Sequence, residues 1–322
     1  MALARPSRRT WHPFSSKLHS LWAFQVREGP PSGPTKQLFS TYTQGLWRTA
    51  TPMLRRSASP VVCSIGSVDP TAAAGITLDL AVYASMGARG ASVVTGVTAQ
   101  NAKQVATVHP IPPAVIARQL ELIWEQVCPD AICIGLVPGA QGISTVARFL
   151  HRLRPRPTVV VDPVITASSG GALLGPSAMR ALPQLLRVAR IITPNVPEAA
   201  LLSSREIATL QDAAQAAQTL TRWGCAVLVT GGHLGRGDCV DALAVPECGR
   251  TGLRRRSVQR FASSRLPGAL RGAGGILAAA IAVELGRGRT LERAVMRARR
   301  VVRDAWRTAR PLGGGTPQFV AI

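Results

Sequence analysis

The feature that most constrains the fold is a regular alternation, from residue 60 onward, of short apolar runs with longer amphipathic segments. The apolar runs are predicted strands at 61–65, 91–95, 131–135, 158–162, 190–193 and 226–230, and the segments between them are predicted helices at 73–86, 113–127, 142–152, 177–187 and 210–223. Strands that are apolar along their length are buried on both faces, which is typical of a parallel sheet covered by helices. The sequence therefore predicts an α/β fold of three layers (α/β/α) around a mostly parallel, doubly wound sheet.

The pattern changes after Gly231 and Gly232. Hairpin-like strands are predicted at 240–245 and 253–261, and helices at 273–285 and 291–308. The last helix carries arginines at positions 293, 297, 299, 300, 303 and 307. We expect these arginines to form a solvated basic face, which is the usual role of such a run.

The formal net charge of +22 comes almost entirely from arginine, since lysine occurs only at positions 17, 36 and 103. Such a charge is compatible with nucleic-acid binding, but the arginines are scattered, aromatic residues make up only 4%, and no DNA- or RNA-binding motif is present. We attribute the charge to compositional bias and expect no nucleic-acid partner.

The longest nearly uncharged apolar run, 272–283, is too short to cross a bilayer, so no membrane partner is expected. The cysteines form no C-x-x-C pair, which favours a reduced, cytoplasmic protein.

Residues 1–57 differ from the rest, with nine Lys or Arg against the single acid Glu28. Three explanations remain open: an organelle transit peptide, a disordered tail, or a true start at Met53. We favour the start at Met53, because 53–57 would then be an ordinary short N terminus before the first strand. The predicted organisation is an extension at 1–57, one α/β domain at 58–310 and a tail at 311–322.

Polar or glycine residues follow each predicted strand of the first six, at 66–70, 98–101, 135, 162–164, 193–198 and 230–233. Ligands of open parallel sheets bind beyond the carboxyl ends of the strands. A glycine-rich segment, Arg271 to Gly275, also precedes a helix of small apolar residues. Its converging N–H groups and the helix dipole suit a phosphate, although a tight turn before a buried helix would explain the same residues. The sequence thus predicts a small-molecule pocket to which a phosphate donor is delivered.

Three residues at these strand ends have chemistry suited to such a pocket. Asp162 is a candidate for a magnesium–water site, and Glu198 for its second carboxylate; the alternative for Glu198 is a favourable charge at a helix N terminus. The planar amide of Gln100 suits a heterocycle with adjacent amino and ring-nitrogen groups, and a solvent-facing turn residue is the alternative. No P-loop, dinucleotide-binding glycine motif or G-x-S-x-G elbow is present.

The order of the motifs resembles the hydroxymethylpyrimidine/phosphomethylpyrimidine kinases of thiamine biosynthesis, within the ribokinase-like superfamily. The resemblance covers about three quarters of the chain, and the motifs are specific together although weak singly. The matching segments are 66–80 (GSVDPTAAAGITLDL), 95–101 (TGVTAQN), 108–110, 134–135, 161–164, 169–170 with 172–174, 193–199 (TPNVPEA), 231–233 and the final glycine turn.

The resemblance implies ATP-dependent phosphorylation of 4-amino-5-hydroxymethyl-2-methylpyrimidine or of its monophosphate, with Mg²⁺. By position, the implied pyrimidine pocket comprises Gly66, Ala74, Asp79, Gln100 and Val164. The implied metal carboxylates are Asp162 and Glu198, and the implied nucleotide residues are Asn195, Thr230, Gly232 and Arg271. The implied anion hole for the transferring phosphoryl group is the segment Gly272, Ala273, Gly274 and Gly275, here called the glycine turn. The sequence is also compatible with a homo-oligomer.

The sequence departs from the family pattern at several positions. The family usually has Cys, the proposed base, at position 275, and often His where Arg271 stands. Ala72 and Ala73 replace paired glycines, Val68 looks like an insertion before Asp69, and Ala273 also differs. Lysines of the family are replaced by Ser168 and Thr230. Two hypotheses follow: a working kinase with a rebuilt catalytic centre, in which Arg271 replaces lysine charge, or a non-enzymatic pyrimidine or nucleotide binder. A weaker third is a nucleic-acid-associated protein.

Overall fold

The computed structural model describes residues 59–167, 171–233, 237–246 and 258–311. The strands are β1 (Val61–Val68), β2 (Arg89–Gln100), β3 (Val105–Pro110), β4 (Ala131–Ile134), β5 (Thr158–Val161), β6 (Ile191–Ile192), β7 (Ala226–Val229), β8 (Cys239–Ala244) and β9 (Gln259–Ser263). The α-helices are α1 (Gly75–Ser85), α2 (Pro113–Gln126), α3 (Ala140–Arg152), α4 (Pro176–Ala181), α5 (Pro183–Leu186), α6 (Val196–Ser203), α7 (Leu210–Leu220), α8 (Ala273–Gly286) and α9 (Leu291–Thr308). Short 3₁₀ helices cover Thr221–Trp223 and Gly231–His233. The predicted extension at 1–57, the tail beyond residue 311 and Ser168 lie outside the described residues.

The described strands form one sheet in the order β3-β2-β1-β4-β5-β6-β7-β8-β9. Pairing is parallel from β2 through β7, and antiparallel where β3 joins β2 and where β8 and β9 follow β7. This order places β1 and β4 side by side, and the chain winds outward from them in both directions. The prediction of a mostly parallel, doubly wound sheet is confirmed.

Two apolar cores cover the two faces of the sheet, so the sheet lies between two layers of helices as the α/β/α prediction requires. Because successive side chains of a strand point to opposite faces, Ile132 and Ile134 belong to the core under α2 to α7, whereas Ala131 and Cys133 belong to the core under α1, α8 and α9. In α8 every residue from 276 to 284 is buried, so this helix is covered all round by the sheet, α1 and α9.

Several elements differ from the prediction. The helix expected at 177–187 is two short helices, because Pro183 has no N–H to continue the hydrogen-bond ladder. The strand expected at 91–95 extends to Gln100 and pairs with β3, a strand that was not predicted. Of the strand predicted at 253–261, the end is observed in β9, and residues 253–257 lie outside the described part.

Candidate active site

A cavity of about 600 Å³ lies at the carboxyl ends of the parallel strands. It is lined by residues that follow β1, β4, β5, β6 and β7 and by the start of α8, namely Asp69, Gly135, Asp162, Thr193, Thr230 and Gly272. The carboxyl ends of parallel strands meet at one edge of a sheet, so polar residues distant in the chain converge there.

The glycine turn forms the N terminus of α8 within this cavity. Gly272 has a left-handed conformation (φ 82°), and a Cβ atom there would lie 2.3 Å from the carbonyl oxygen of Ala73, so only glycine fits. The first hydrogen bond of the helix runs from the Ile276 N–H to the Gly272 carbonyl at 2.9 Å. The N–H groups of the three residues before Ile276 therefore have no acceptor inside the helix and are available to an anion.

The glycine turn lies between two buried carboxylates. A Cβ atom placed on Gly274 would be 3.9 Å from Asp162 Oδ2, and one placed on Gly275 would be 4.0 Å from Asp79 Oδ1. An anion held by the turn would therefore lie near both carboxylates.

Asp79, on the second turn of α1, is buried and accepts a hydrogen bond from Ser64 Oγ at 2.5 Å. Burial raises the pKa of Asp79 to about 7; the hydrogen bond from Ser64 opposes that rise and the negative charge of Asp162 adds to it. Near neutral pH the carboxyl group thus exists in both protonation states.

Asp162 and Glu198 form the second acidic group. Burial raises the pKa of both, and the charge of Asp162 raises that of Glu198 further. Asp162 Oδ1 accepts a hydrogen bond from the Thr193 hydroxyl at 3.3 Å, which leaves Oδ2 directed at the glycine turn. Glu198 accepts the backbone N–H of Asn195 at 3.0 Å and of Ile165 at 3.2 Å, one on each oxygen.

These two carboxylates are too few to hold a metal ion by protein ligands alone, but they suit a magnesium ion that also binds water and phosphate oxygens. Among the described residues no cluster of three or more carboxylate, histidine or cysteine side chains is suited to hold a metal. Mg²⁺ normally takes one or two carboxylates together with water and substrate phosphates. Each oxygen of Glu198 keeps a second lone pair for a metal-bound water. Glu198 also closes the capping box of α6, so the alternative suggested for it, a favourable charge at a helix N terminus, is observed.

The implied nucleotide residues occupy one end of the cavity. Asn195 caps α6 by accepting the Glu198 N–H, and it forms a parallel bridge with Thr230, whose N–H donates to the Pro194 carbonyl. Gly232 follows in the 3₁₀ turn, and all three line the cavity.

Arg271, the residue directly before the glycine turn, forms an ion pair with Asp69 at 3.5 Å. Both side chains are largely buried, with 13% of the arginine and 2% of the aspartate exposed. The ion pair joins the loop after β1 to the loop before α8, and it offsets part of the charge that Arg271 presents to the cavity.

Of the residues that the resemblance implies for the pyrimidine pocket, Ala74, Asp79, Gln100 and Val164 line the cavity. Gln100 is the last residue of β2 and is half-buried, so the solvent-facing turn suggested as an alternative is not observed. Gly66 differs: it lies inside β1 and is not among the lining residues, and a Cβ atom there would be 3.3 Å from Ile76 Cγ2.

The prediction that the arginines of α9 form a solvated face is wrong for two of them. Arg299 is 12% exposed and pairs with buried Asp241 at 3.1 Å, and both Arg299 and Arg303 line the cavity. Sequence reasoning missed them because their partner Asp241 lies on β8, far away in the chain. Arg303 in turn donates to the Ser264 carbonyl at 2.7 Å, in the loop that precedes the glycine turn.

The fold is that of the ribokinase-like class of kinases. A crystal structure of phosphomethylpyrimidine kinase from Clostridium difficile superposes with a TM-score of 0.65 at 30% identity, over 77% of this chain and 100% of that chain. An ADP complex of Bacillus subtilis pyridoxal kinase superposes with a TM-score of 0.71 at 26% identity, over 82% and 97%.

The sequence comparisons specify the family within this class. The family model for phosphomethylpyrimidine kinase matches residues 69–319, and the chain belongs to this family. A hydroxymethylpyrimidine/phosphomethylpyrimidine kinase from Mycobacterium bovis is 36% identical over 80% of this chain and 91% of its own length. The thiamine biosynthesis bifunctional protein ThiED of Geobacter sulfurreducens is 36% identical over 88% of this chain. The chain spans about half the length of that bifunctional relative (56%).

Proposed function

We propose that this protein transfers the terminal phosphoryl group of ATP to the hydroxymethyl group of 4-amino-5-hydroxymethyl-2-methylpyrimidine, to the phosphate of its monophosphate, or to both. The observation that carries the proposal is the glycine turn placed between Asp162 and Asp79 in one cavity. The names of the relatives supply the substrate, and the family supplies the reaction class.

In this proposal the two ends of the cavity receive different ligands. The pyrimidine binds beside Ala74, Val164 and Asp79, with its amino edge against the amide of Gln100, which both donates and accepts. ATP binds beside Asn195, Thr230 and Gly232. Its terminal phosphate then reaches the N–H groups of the glycine turn.

Phosphoryl transfer depends mainly on positioning and on stabilising negative charge, and the backbone N–H groups of the turn provide both. Gly275 retains its N–H group although it has no side chain. Mg²⁺ would neutralise charge on the ATP phosphates, and Asp162 and Glu198 are the residues that would hold it. The remaining residues bind, orient and exclude water around the reacting groups.

The test is a single-turnover assay of the full chain with the hydroxymethylpyrimidine, ATP and Mg²⁺, repeated with the monophosphate as acceptor. Phosphorylated pyrimidine is expected from at least one acceptor. Gly275→Cys is the matched variant, because a Cβ at position 275 has only ordinary contacts and the fold should accept it. Calorimetry with pyrimidine alone provides the binding constant independently of turnover.

A non-enzymatic pyrimidine or nucleotide binder is the second candidate, and the missing side chain at Gly275 is the observation in its favour. Tight pyrimidine binding by the native chain with no product, under conditions in which Gly275→Cys forms product, would establish the binder and reject the kinase.

We further propose that the protein is located in the cytoplasm and can form a homo-oligomer. No helix of the described residues is long and apolar enough to span a membrane.

A further inference from the structure

Five carboxylates line the cavity within the described residues, and they differ in how fully their oxygens are engaged. They are Asp69, Asp79, Asp162, Glu198 and Asp241. A proton leaving a substrate hydroxyl needs a carboxylate oxygen that faces the cavity and is not already committed to a donor. The bonds of each carboxylate therefore decide which of them could receive it.

Three of the five are committed. Asp69 and Asp241 each pair with an arginine on one oxygen and accept a backbone N–H at 2.8 Å on the other. Glu198 accepts a backbone N–H on both oxygens. Each oxygen of these three carboxylates therefore already accepts a donor from the protein, and none is left uncommitted for a substrate hydroxyl.

Asp79 and Asp162 each have one oxygen held by a hydroxyl group and one oxygen directed at the glycine turn. Asp162 accepts from Thr193, two residues before Asn195, which the proposed function assigns to the nucleotide. Asp79 lies on α1, which begins directly after Ala74, a residue that the proposed function assigns to the pyrimidine. No hydrogen bond from the described residues reaches Asp79 Oδ1.

Gly275 leaves the path to that oxygen open. A Cβ atom at position 275 would lie 4.0 Å from Asp79 Oδ1 and 3.5 Å from Leu78 Cδ2, so any side chain there would begin within contact distance of the carboxylate. With glycine, a substrate hydroxyl held at the turn can contact Asp79 Oδ1 directly.

We propose that Asp79 is the catalytic proton acceptor of this kinase, occupying the role for which position 275 has no side chain. The inference rests on the proposed function. The substrate hydroxyl oxygen forms a bond to the terminal phosphorus of ATP as the bond from that phosphorus to the bridging oxygen of ADP breaks. The hydroxyl proton passes to Asp79 Oδ1, and the electron pair of the broken bond stays on ADP.

The surroundings of Asp79 suit this exchange. The titratable groups around it are Tyr83 on α1, Cys133 on β4 and Asp162 after β5, and burial keeps the pKa of Tyr83 and Cys133 well above their usual ranges. These two groups stay neutral near pH 7. Burial also brings the pKa of Asp79 to about 7, where a general base is most effective.

The test compares the native chain with Asp79→Asn, which keeps the shape and the Ser64 contact but removes the basic oxygen pair. General bases contribute ~10²–10⁴ to rate, so kcat should fall by about 100-fold or more at saturating pyrimidine. The matched control is Asp304→Asn on α9, an exposed carboxylate paired only with neighbouring Arg307, which should leave kcat unchanged. Calorimetry gives the pyrimidine Kd of each protein.

The pH profile separates a base from a binding residue. In the native chain kcat/KM should rise with pH through about 7, because Asp79 must be ionised. That limb should be absent from Asp79→Asn. Asp79→Ala with added formate provides a second variant, in which a rising rate with formate concentration is expected because the small carboxylate replaces the missing one.

Three results would overturn the inference. One is a kcat of Asp79→Asn within about threefold of the native value; another is a higher Kd at unchanged kcat, which would make Asp79 a binding residue only. The third is an unaltered pH limb in Asp79→Asn. If the native chain forms no phosphorylated pyrimidine, the proposed function itself fails, and that measurement is made before any variant is compared.

Discussion

At the scale of single residues, the loop after β1 shows how this chain deviates from its family at a cost in backbone energy. Ala72 has φ 55°, in the left-handed region, at a position where the family resemblance implies glycine. An L-residue with a side chain is less stable there by roughly 1–2 kcal/mol. The loop keeps this conformation because Asp69 organises it, accepting both the N–H and the hydroxyl of Thr71 at 2.8 Å.

Ala72→Gly should therefore stabilise the protein, by about 0.5–1 kcal/mol after the larger flexibility of glycine in the unfolded chain is subtracted. Urea denaturation gives the free energy of unfolding. Ala73→Gly is the matched control: Ala73 is fully buried and has no left-handed φ, so that substitution should destabilise. If both variants lose stability equally, the left-handed conformation at position 72 carries no strain.

Arg271 is the residue whose role is least obvious from the sequence. Its pair with Asp69 holds the guanidinium at the mouth of the glycine turn, where it can reach a phosphate. Arg271→Ala should raise the KM for ATP by about tenfold, the size of one charge-assisted hydrogen bond. Arg307→Ala, an exposed arginine 60% open to solvent, is the control for lost positive charge. An ATP affinity and a rate unaltered in Arg271→Ala would exclude a role in phosphate binding.

At the scale of elements, the packing of α8 against α9 holds the helix that begins at the glycine turn. Glu284, 2% exposed near the end of α8, forms ion pairs with Arg287 and Arg289 in the connection and with Arg297 on α9. These contacts hold both helices against the sheet. The end of α8 opposite the glycine turn is thereby held in place.

Glu284→Gln should lower the free energy of unfolding by about 1–3 kcal/mol, because three partly buried cations lose their counter-charge. Its effect on kcat should be small. Asp304→Asn removes an exposed pair on α9 and should change stability by less than about 1 kcal/mol. Equal stabilities of the two variants, measured by thermal unfolding, would contradict a structural role for the Glu284 cluster.

Elements and site were predictable from sequence to different degrees, for physical reasons. The central strands and α8 are continuous apolar runs, and burial on all sides leaves that signal in any sequence. β3 is an edge strand with mostly exposed residues, so its sequence lacks the signal. Asp162 and Thr230 were predictable because the ends of parallel strands meet. Arg299 was not, since its burial depends on how α9 packs against β8 and β9.

At the scale of the whole molecule, the acidic cavity affects stability as well as chemistry. The chain carries a formal charge of +22, yet its site is a set of buried carboxylates whose charges desolvation disfavours. The folded protein without ligands therefore keeps protons on Asp79, Asp162 and Glu198 to a higher pH than the unfolded chain does. Ligands with Mg²⁺ would reverse this preference, which couples binding to proton release.

The sign of the resulting pH dependence follows from Asp79. Its pKa is about 7 when folded and about 4 when unfolded, so the folded state binds more protons between these values and stability falls as pH rises through them. The loss from this group is on the order of 1–4 kcal/mol between pH 4 and pH 8, and its contribution should level off above its folded pKa. Urea unfolding at pH 5, 6, 7 and 8 without ligands measures it. Asp79→Asn should have the flatter dependence and gain stability relative to the native chain at pH 8; parallel curves for the two proteins would show that Asp79 is not destabilised by burial.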